Sequence, residues 1–330
     1  MPVLSKPSRL ACTLVLLLCF SGCSSESQHS PSERYVLLAT NIKLPYWQNA
    51  AAGLIRAAKE INVQAQLMGP DTYDPQAQRE AFQRVIAENP TGILVSAADS
   101  ELLKPSIDAA IARGIPVITI DSDARNSKRL LFMGTDNYRA GTMGGEIAAK
   151  NLNGKGNVVV FTIPEQDNLK ERLDGYRAAF ADHPQIKIIE IVDVRGDPRI
   201  AFDKTTEILE KRAAAVNAFV CLEATACPEV ADVLNRKNAK DKVVVAMDTD
   251  ESTLGWIQKG VIAATIGQKP FTMGYYGLKM LDDLHHNKLS SLDQNWAQDS
   301  FSPLPTFVDT GTVLVDRSNA AAFTSTPPQK

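Results

Sequence analysis

The chain has 330 residues, of which 44% are hydrophobic and 22% charged, and its formal net charge at pH 7 is −3. This composition excludes a wholly disordered protein, and the length exceeds what a single hydrophobic core usually serves, so we expect two domains. Nucleic-acid-binding proteins present strongly basic surfaces, and the slightly acidic balance gives no reason to expect a nucleic-acid partner.

The N-terminus is typical of an export signal. Two basic residues precede an apolar stretch over residues 10–20, and Ser-Gly follows directly before Cys23. This arrangement predicts a secretory signal over residues 1–22, too short to remain as a membrane-spanning helix. A cysteine at this point is similar to bacterial lipoprotein signals, in which the sulfur is acylated. We therefore predict an exported lipoprotein, anchored to a membrane of the cell envelope through Cys23. Ordinary cleavage nearby is the alternative, and the polar, Ser-rich residues 23–33 predict a flexible tether.

From residue 35 onward, short apolar runs alternate with amphipathic stretches. The apolar runs predict ten strands, at residues 35–40, 63–68, 92–95, 117–120, 130–133, 158–161, 186–192, 218–222, 243–247 and 263–266. The amphipathic stretches predict helices that include residues 75–88, 102–113, 169–182 and 200–213. This alternation predicts an α/β fold with parallel sheets covered by helices on both faces. Ten strands are too many for one compact sheet, so we predict two doubly wound lobes that divide near residues 135–137.

Two further features lie in the second half of the chain. Cys221 and Cys227 could pair in an oxidising compartment, but Cys221 ends an apolar strand, where cysteine is often a small core residue. The sequence leaves both alternatives open. The tail, residues 302–330, is rich in Pro, Ser and Thr, and its residues 306–315 form one extended piece able to pair at a sheet edge.

Polar and aromatic side chains follow the predicted strands of both halves. In open α/β sheets, ligands bind beyond the carboxyl ends of the strands, so these side chains are candidate ligand contacts. They are Tyr46 and Trp47 after the first strand, Asp121 and Asp123 after the fourth, Arg172 behind the sixth, and Glu223, Asp248 and Gln268 after the last three.

Six segments carry a resemblance to a known family. In chain order they are PYW, GIPVITIDSD, GTDNYRAGTMGGEIA, KERLDGYRAAF, VVVAMDTDE and AATIGQKPFTMGYYG. Together they resemble the periplasmic binding proteins of the ribose-binding type, the receptors of sugar ABC importers, over about residues 34–316. The resemblance implies a type I periplasmic binding protein fold, in which two lobes joined by a three-stranded hinge close on the ligand.

The hinge crossings implied by this resemblance fall near Asp136, Gln268 and Thr310. They would assign residues 34–135 and 269–309 to an N-terminal lobe, and residues 136–268 and 310–330 to a C-terminal lobe with its tail. Asp136 is expected to organise the hinge by capping the helix that follows it.

The resemblance also implies roles for the candidate contacts. Tyr46 and Trp47 would stack on a sugar ring, although aromatics at a helix start can equally fasten the helix to a core. Asp121 and Asp248 would accept ligand hydroxyls. The remaining implied contacts are the guanidinium of Arg172, which would clasp paired hydroxyls, and Gln268, which would both cross the hinge and touch ligand.

This chain departs from the ribose-type pattern at several positions. Leu44 and Glu223 stand where many members have Asn, Ser122 stands where many have Arg, and Gly196 stands where Phe is frequent. Ribose itself is therefore a poor candidate. The acidic set of Asp121, Asp123, Glu223 and Asp248 favours a polyol or an amine-bearing ligand.

No enzyme motif stands out in the sequence. Its glycine clusters do not follow a strand and open a helix, as a dinucleotide fingerprint must, and its four histidines lack metal-ligand spacing. We expect no catalysis, cofactor or metal. Two functions are favoured over a secreted glycoside-acting enzyme. One is a solute receptor that binds a monosaccharide or polyol and delivers it to an ABC permease, and the other is a sensory protein that presents its closed form to a chemoreceptor or kinase.

Overall fold

The computed structural model describes residues 29–324. The strands in this part are β1 (Arg34–Leu38), β2 (Gln64–Met68), β3 (Gly92–Val95), β4 (Val117–Ile120), β5 (Phe132–Gly134), β6 (Lys155–Thr162), β7 (Gln185–Asp193), β8 (Ala218–Cys221), β9 (Val243–Met247), β10 (Ala264–Gly267), β11 (Phe307–Asp309) and β12 (Val313–Asp316). The helices are α1 (Pro45–Ile61), α2 (Pro75–Ala87), α3 (Ser100–Ala112), α4 (Asn137–Asn151), α5 (Asp167–Ala181), α6 (Pro198–Arg212), α7 (Ala226–Arg236), α8 (Glu251–Gln258), α9 (Pro270–His286) and α10 (Ala321–Thr324).

The strands form two six-stranded sheets with corresponding orders. The sheet of the first lobe runs β11-β5-β4-β3-β1-β2, and that of the second lobe runs β12-β10-β9-β8-β6-β7. Every pairing is parallel except that of β10 with β12. Each sheet packs helices around its own buried apolar cluster. The prediction of a two-lobed α/β fold is therefore confirmed, and β3, β4 and β9 begin and end where the sequence predicts.

The extended piece predicted at residues 306–315 differs from expectation, because it forms two strands instead of one. β11 lies at the edge of the first sheet and β12 at the edge of the second. Between them the chain passes from one lobe to the other, and Gly311 takes a left-handed φ of 80° there. A residue with no Cβ adopts this conformation without strain.

Three connections run between the lobes, from β5 to α4, from β10 to α9 and from β11 to β12. Hydrogen bonds join the first to the third: Thr310 donates its N–H to the carbonyl of Gly134 at 2.7 Å, and Asp136 donates its N–H to Asp309 Oδ1 at 3.3 Å. Asp136 also caps α4, since its Oδ1 accepts the N–H of Arg139 at 2.9 Å. The side chains expected at the hinge thus lie at the crossings.

Two pairs of closely packed helices support the site, α1 with α9 in the first lobe and α4 with α5 in the second. Glycines allow each approach. A Cβ added at Gly53 of α1 would lie 2.0 Å from the backbone oxygen of Phe271 in α9. A Cβ added at Gly141 of α4 would lie 2.0 Å from the backbone oxygen of Arg172 in α5. Neither position can accept a side chain without moving a backbone.

The end of the predicted tether, residues 29–33, contacts the first lobe. Glu33 is 7% exposed, and its Oε1 accepts the N–H of Ser30 at 2.7 Å. His29 contacts Asp282 of α9, with 3.0 Å between Nε2 and Oδ2. The predicted signal and Cys23 lie outside the described residues. Within residues 29–324, no helix combines the length and the apolar character needed to cross a membrane.

Candidate ligand-binding site

A cavity of about 70 Å³ lies between the lobes, at the carboxyl ends of their strands. A single water needs roughly 10–15 Å³ by this measure, so the cavity has room for several waters or one small molecule. Its walls are Thr40, Asn41, Leu44, Tyr46, Trp47, Tyr73 and Asp121 from the first lobe, Ile163, Gln166, Asn168, Leu169, Arg172, Gly196, Glu223, Ala224, Thr225 and Asp248 from the second, and Gln268 at a crossing. A larger cavity of about 520 Å³ adjoins it and shares Tyr46, Asp248 and Gln268.

The acidic group of the first lobe is held by hydroxyls of that lobe. Asp121 follows β4 directly and takes a left-handed φ of 62°. Its Oδ1 accepts the hydroxyl of Tyr46 at 2.7 Å, and its Oδ2 accepts that of Ser96 at 3.0 Å. A non-glycine residue in this conformation is uncommon, and such residues concentrate at functional sites. The carboxylate is thereby oriented before any ligand arrives.

The acidic group of the second lobe is held from a crossing. Asp248 follows β9, takes a φ of 70°, and accepts the amide Nε2 of Gln268 at 2.9 Å. The amide oxygen of Gln268 accepts the hydroxyl of Thr135 and the Nη2 of Arg172, both at 2.8 Å. Gln268 therefore connects two of the three crossings with the acidic and basic groups of the site.

Arg172 is 2% exposed and bonded on all three of its guanidinium nitrogens. Its Nε donates to Asn137 Oδ1 at 2.9 Å and its Nη1 donates to the carbonyl of Leu222 at 2.7 Å. A guanidinium has five N–H groups, so two remain for a ligand.

Burial controls the ionisation of the acidic groups. Burial raises the pKa of Asp248 from 3.8 to about 7, and the positive charge of Arg172 opposes that rise. Burial likewise raises the pKa of Asp121, against the same guanidinium, and that of Glu223, against hydrogen bonds from Thr225 and Ala226. A carboxylate without water is easier to protonate, because the apolar surroundings disfavour its charge.

The aromatic pair Tyr46 and Trp47 lines the cavity and also fastens α1 to the core, the two roles considered for it from the sequence. Trp47 is 3% exposed, belongs to the core of the first lobe, and donates its indole N–H to Thr40 Oγ1 at 3.0 Å. It also lines the cavity together with Tyr46, whose ring meets it edge to face at a centroid distance of 5.1 Å. One helix opening thus serves the core and the cavity together.

Glu223 lies on a loop that is closed by a disulfide. Cys221 and Cys227 are bonded, with their Cα atoms 5.6 Å apart, which settles the pairing that the sequence leaves open. Within this loop, the carboxylate of Glu223 accepts the N–H groups of Thr225 at 2.6 Å and Ala226 at 2.8 Å. Glu223 lines the cavity, and its oxygens also hold the start of α7.

Asp123 does not line the cavity, which corrects its assignment to the candidate contacts. Its carboxylate accepts two bonds from Arg129, at 2.7 and 2.6 Å, and a third from the hydroxyl of Thr119 at 2.6 Å. It is 5% exposed. This carboxylate fastens the loop after β4 and does not face the cavity. The other seven predicted contacts line the cavity together.

Several cavity residues are absent from the predicted set, among them Tyr73, Gln166 and Asn168. Tyr73 follows the edge strand β2 and donates its hydroxyl to the carbonyl of Ala98 at 2.8 Å. Tyr73 and Gln166 each follow a predicted strand within a few residues, so the rule that selected the other candidates could have included them.

Among the described residues, an ion pair and a packing contact connect the lobes beside the cavity. Arg125 of the first lobe forms an ion pair with Glu171 on α5 of the second. Tyr73 of the first lobe packs on Gly196 of the second, where an added Cβ would lie 2.4 Å from Tyr73 Cβ. A phenylalanine side chain at position 196, frequent in ribose-type proteins, would therefore collide with Tyr73.

Comparison with known proteins identifies the family. Residues 35–288 match the family described as "Periplasmic binding protein domain". The D-allose-binding periplasmic protein of Escherichia coli is 27% identical over 282 residues, which cover 82% of this chain and 90% of that protein. An arabinose-binding protein from Geobacillus stearothermophilus is 32% identical, with a TM-score of 0.74, and covers 89% of this chain and all of its own. A sugar-binding protein of a sugar ABC transporter from Bacillus halodurans is also 32% identical, with a TM-score of 0.76 and coverage of 88% and 100%. The chain belongs to the periplasmic binding protein family.

Proposed function

We propose that this protein is the extracytoplasmic receptor of an ABC importer and binds one monosaccharide or polyol between its lobes. The observation that carries the proposal is the cavity at the strand ends, with an aromatic pair on one side and carboxylates from both lobes aimed into it. Flat aromatic faces suit the C–H faces of a sugar, and ionised carboxylates accept its hydroxyls. The solved relatives bind sugars, which supports the same ligand class for this chain.

The charges around the cavity favour a neutral or amine-bearing ligand over an acidic one. Three carboxyl groups, Asp121, Glu223 and Asp248, face the single guanidinium of Arg172. The three protein acceptors of Arg172 are neutral oxygens, so its one positive charge is opposed only by the three carboxyl groups, which outnumber it. A sugar acid or sugar phosphate would add a negative charge to a buried site that already disfavours negative charge.

Calorimetry with the purified protein tests the ligand class. A panel of pentoses, hexoses, polyols, amino sugars and sugar acids should yield at least one neutral or amine-bearing ligand that binds with 1:1 stoichiometry, while the sugar acids should not bind. Exclusive binding of an acidic ligand, or chemical conversion of the bound sugar detected by chromatography, would refute the proposal.

Glu223 is proposed to select among ligands. It stands where ribose-type members often have Asn, so Glu223→Asn replaces an acceptor-only carboxylate with an amide that also donates. A site built around specific hydrogen bonds rejects a mismatched partner strongly. The substitution should therefore change the order of affinities among the ligands of the panel more than it lowers all of them. Asp174→Asn, an exposed carboxylate of α5 outside the cavity, is the control. An unchanged ranking would leave Glu223 with only its role in capping α7.

Membrane attachment through Cys23 is part of the same proposal. An exported receptor held at the membrane stays close to its permease, and stable attachment needs more than one acyl chain. Expression of Cys23→Ser beside the wild type, followed by membrane fractionation, tests this directly. The variant should move to the soluble fraction, and retention with the membrane would contradict the lipid anchor.

A further inference from the structure

Three imidazoles and two carboxylates meet where residues 29–33, here called the N-terminal arm, contact the end of α9. We call this group the N-terminal histidine cluster: His29 and Glu33 from the arm, and Asp282, His285 and His286 from α9. Candidate metal-ligand atoms of His29, Asp282 and His286 all lie within 4.8 Å of one another. The same holds for Glu33, His285 and His286. The two sets share His286.

The separations in this cluster fit the coordination shell of a small divalent ion. His29 Nε2 lies 3.0 Å from Asp282 Oδ2, and His286 Nε2 lies 3.5 Å from Asp282 Oδ1 and 3.2 Å from Glu33 Oε2. Ligands bound at roughly 2.0–2.2 Å to a tetrahedral Zn²⁺ lie about 3.3–3.6 Å from each other. Small side-chain movements would bring these atoms onto such a shell.

A buried partner already orients the central carboxylate. Tyr35, which is fully buried in β1, donates its hydroxyl to Asp282 Oδ1 at 3.1 Å. Glu33 is oriented as well, because its Oε1 accepts the N–H of Ser30. Metal-ligating carboxylates commonly have such outer hydrogen bonds, which hold the ligand atoms in place.

We propose that the N-terminal histidine cluster binds a divalent transition-metal ion of the zinc class through His29, Asp282 and His286. Two imidazoles and a carboxylate are ligands that zinc accepts, whereas Mg²⁺ and Ca²⁺ prefer oxygen ligands alone. Glu33 lies next to His286 and can supply a fourth ligand. The ion would fasten the arm, which is the end of the predicted tether, to the first lobe.

This site is separate from the sugar cavity. α9 starts beside Gln268 and ends at the cluster, and its 17 residues span roughly 25 Å at 1.5 Å per residue. The metal is therefore expected to act on the arm and to leave ligand affinity unchanged.

Titration of the chelator-treated protein with ZnCl₂ alone tests the proposal. Calorimetry should give one ion per chain, and Zn²⁺, but not Mg²⁺ or Ca²⁺, should raise the midpoint of thermal unfolding. His29→Ala and His286→Ala should each weaken Zn²⁺ binding at least tenfold. His183→Ala, a histidine in the turn before β7, should leave it unchanged. His29 belongs to the arm, so its variant keeps the test decisive if His286→Ala fails to fold.

Hydrogen exchange gives an independent readout. Zn²⁺ should slow amide exchange in residues 29–33 of the wild type and not in His29→Ala. Absence of Zn²⁺ binding to the wild type, equal affinity in His29→Ala, or an equal loss in His183→Ala would each overturn the proposal.

Discussion

The two lobes have the same strand order, yet they hold their acidic groups differently. Asp121 and Asp248 both follow the strand in the same position of their sheets, both have left-handed φ angles, and both donate their N–H to the neighbouring strand, at Met133 and Ile266. Asp121 is bonded by hydroxyls of its own lobe, whereas Asp248 is bonded by Gln268 at a crossing.

Because of this difference, the two carboxylates depend to different extents on how the lobes are arranged. The first lobe presents a carboxylate that its own hydroxyls fix, so its geometry does not depend on the second lobe. The second lobe presents a carboxylate whose partner also bonds Thr135 of another crossing. Movement of the lobes about the crossings would therefore change the surroundings of Asp248 more than those of Asp121.

The largest expected effect concerns the helix pairs, where the lobes should behave alike. Gly141→Ala and Gly53→Ala each place a Cβ 2.0 Å from a backbone oxygen, and each should reduce the free energy of unfolding by about 3 kcal/mol, at the upper end of ordinary overpacking. Gly255→Ala is the control, because its added Cβ would meet no atom within 4 Å beyond its own stretch of helix, and it should stabilise helix α8 by about 0.5–1 kcal/mol. Denaturant unfolding measures all three. Similar stability of Gly141→Ala and wild type would show that α4 and α5 can move apart without cost.

The next effect concerns the acidic pair. Asp121→Ala and Asp248→Ala should each weaken binding of the best ligand about tenfold to a hundredfold. The reason is that ligand hydroxyls left without water and without a hydrogen-bond partner cost about 1–3 kcal/mol. The variants should differ when combined with Gln268→Ala: the effects should be additive with Asp121→Ala and non-additive with Asp248→Ala, which shares a hydrogen bond with Gln268. Calorimetry of the double-mutant cycles measures this. Wild-type affinity in either single variant, with its fold intact, would show that the substituted residue does not contact the ligand.

The pH dependence of binding should report Asp248. Its raised pKa of about 7 means that the ligand-free fold binds this proton more tightly than the unfolded chain does. The stabilisation of the ligand-free fold by protonated Asp248 is thus complete below about pH 4. It declines as the pH rises further and is lost above about pH 7. Ligand hydroxyls prefer the ionised carboxylate, so affinity should rise about tenfold between pH 6 and pH 8.

Asp248→Asn should flatten that pH profile, while Asp174→Asn should not. Calorimetry in buffers of different ionisation enthalpy should also detect proton release on binding at pH 7. An identical pH profile in wild type and Asp248→Asn would assign the titration to another group.

The smallest expected effect concerns closure. Arg125→Ala removes the ion pair with Glu171 that connects the lobes, and it should weaken ligand binding by no more than about fivefold, as an exposed pair contributes about 0.2–1 kcal/mol. Arg177→Ala removes an exposed pair within the second lobe and is the matched control. Small-angle scattering should show a larger radius of gyration for ligand-free Arg125→Ala than for the ligand-free wild type. Equal loss of affinity in both variants would argue against a role for the interlobe contact.

Much of the site could be predicted because it depends on strand ends. Asp121 and Asp248 follow continuous apolar runs, and parallel strands bring their carboxyl ends to the same edge of a sheet. The same rule selects Asp123, which lies outside the cavity because Arg129, six residues later, bonds its carboxylate. Its charge is thereby used within the loop, which no spacing reveals.

The sequence by itself determined the two-lobed α/β architecture, since buried parallel strands require apolar runs and the helices between them require an apolar face. It also placed the candidate acids at strand ends, because that position follows from order along the chain. Only the tertiary structure decided which polar groups form hydrogen bonds and ion pairs with each other. Gln268 meets Thr135, and His29 meets Asp282, across sequence separations of 133 and 253 residues. Contacts of this range depend on how the helices pack and where the chain crosses between lobes, so local sequence patterns carry no signal for them.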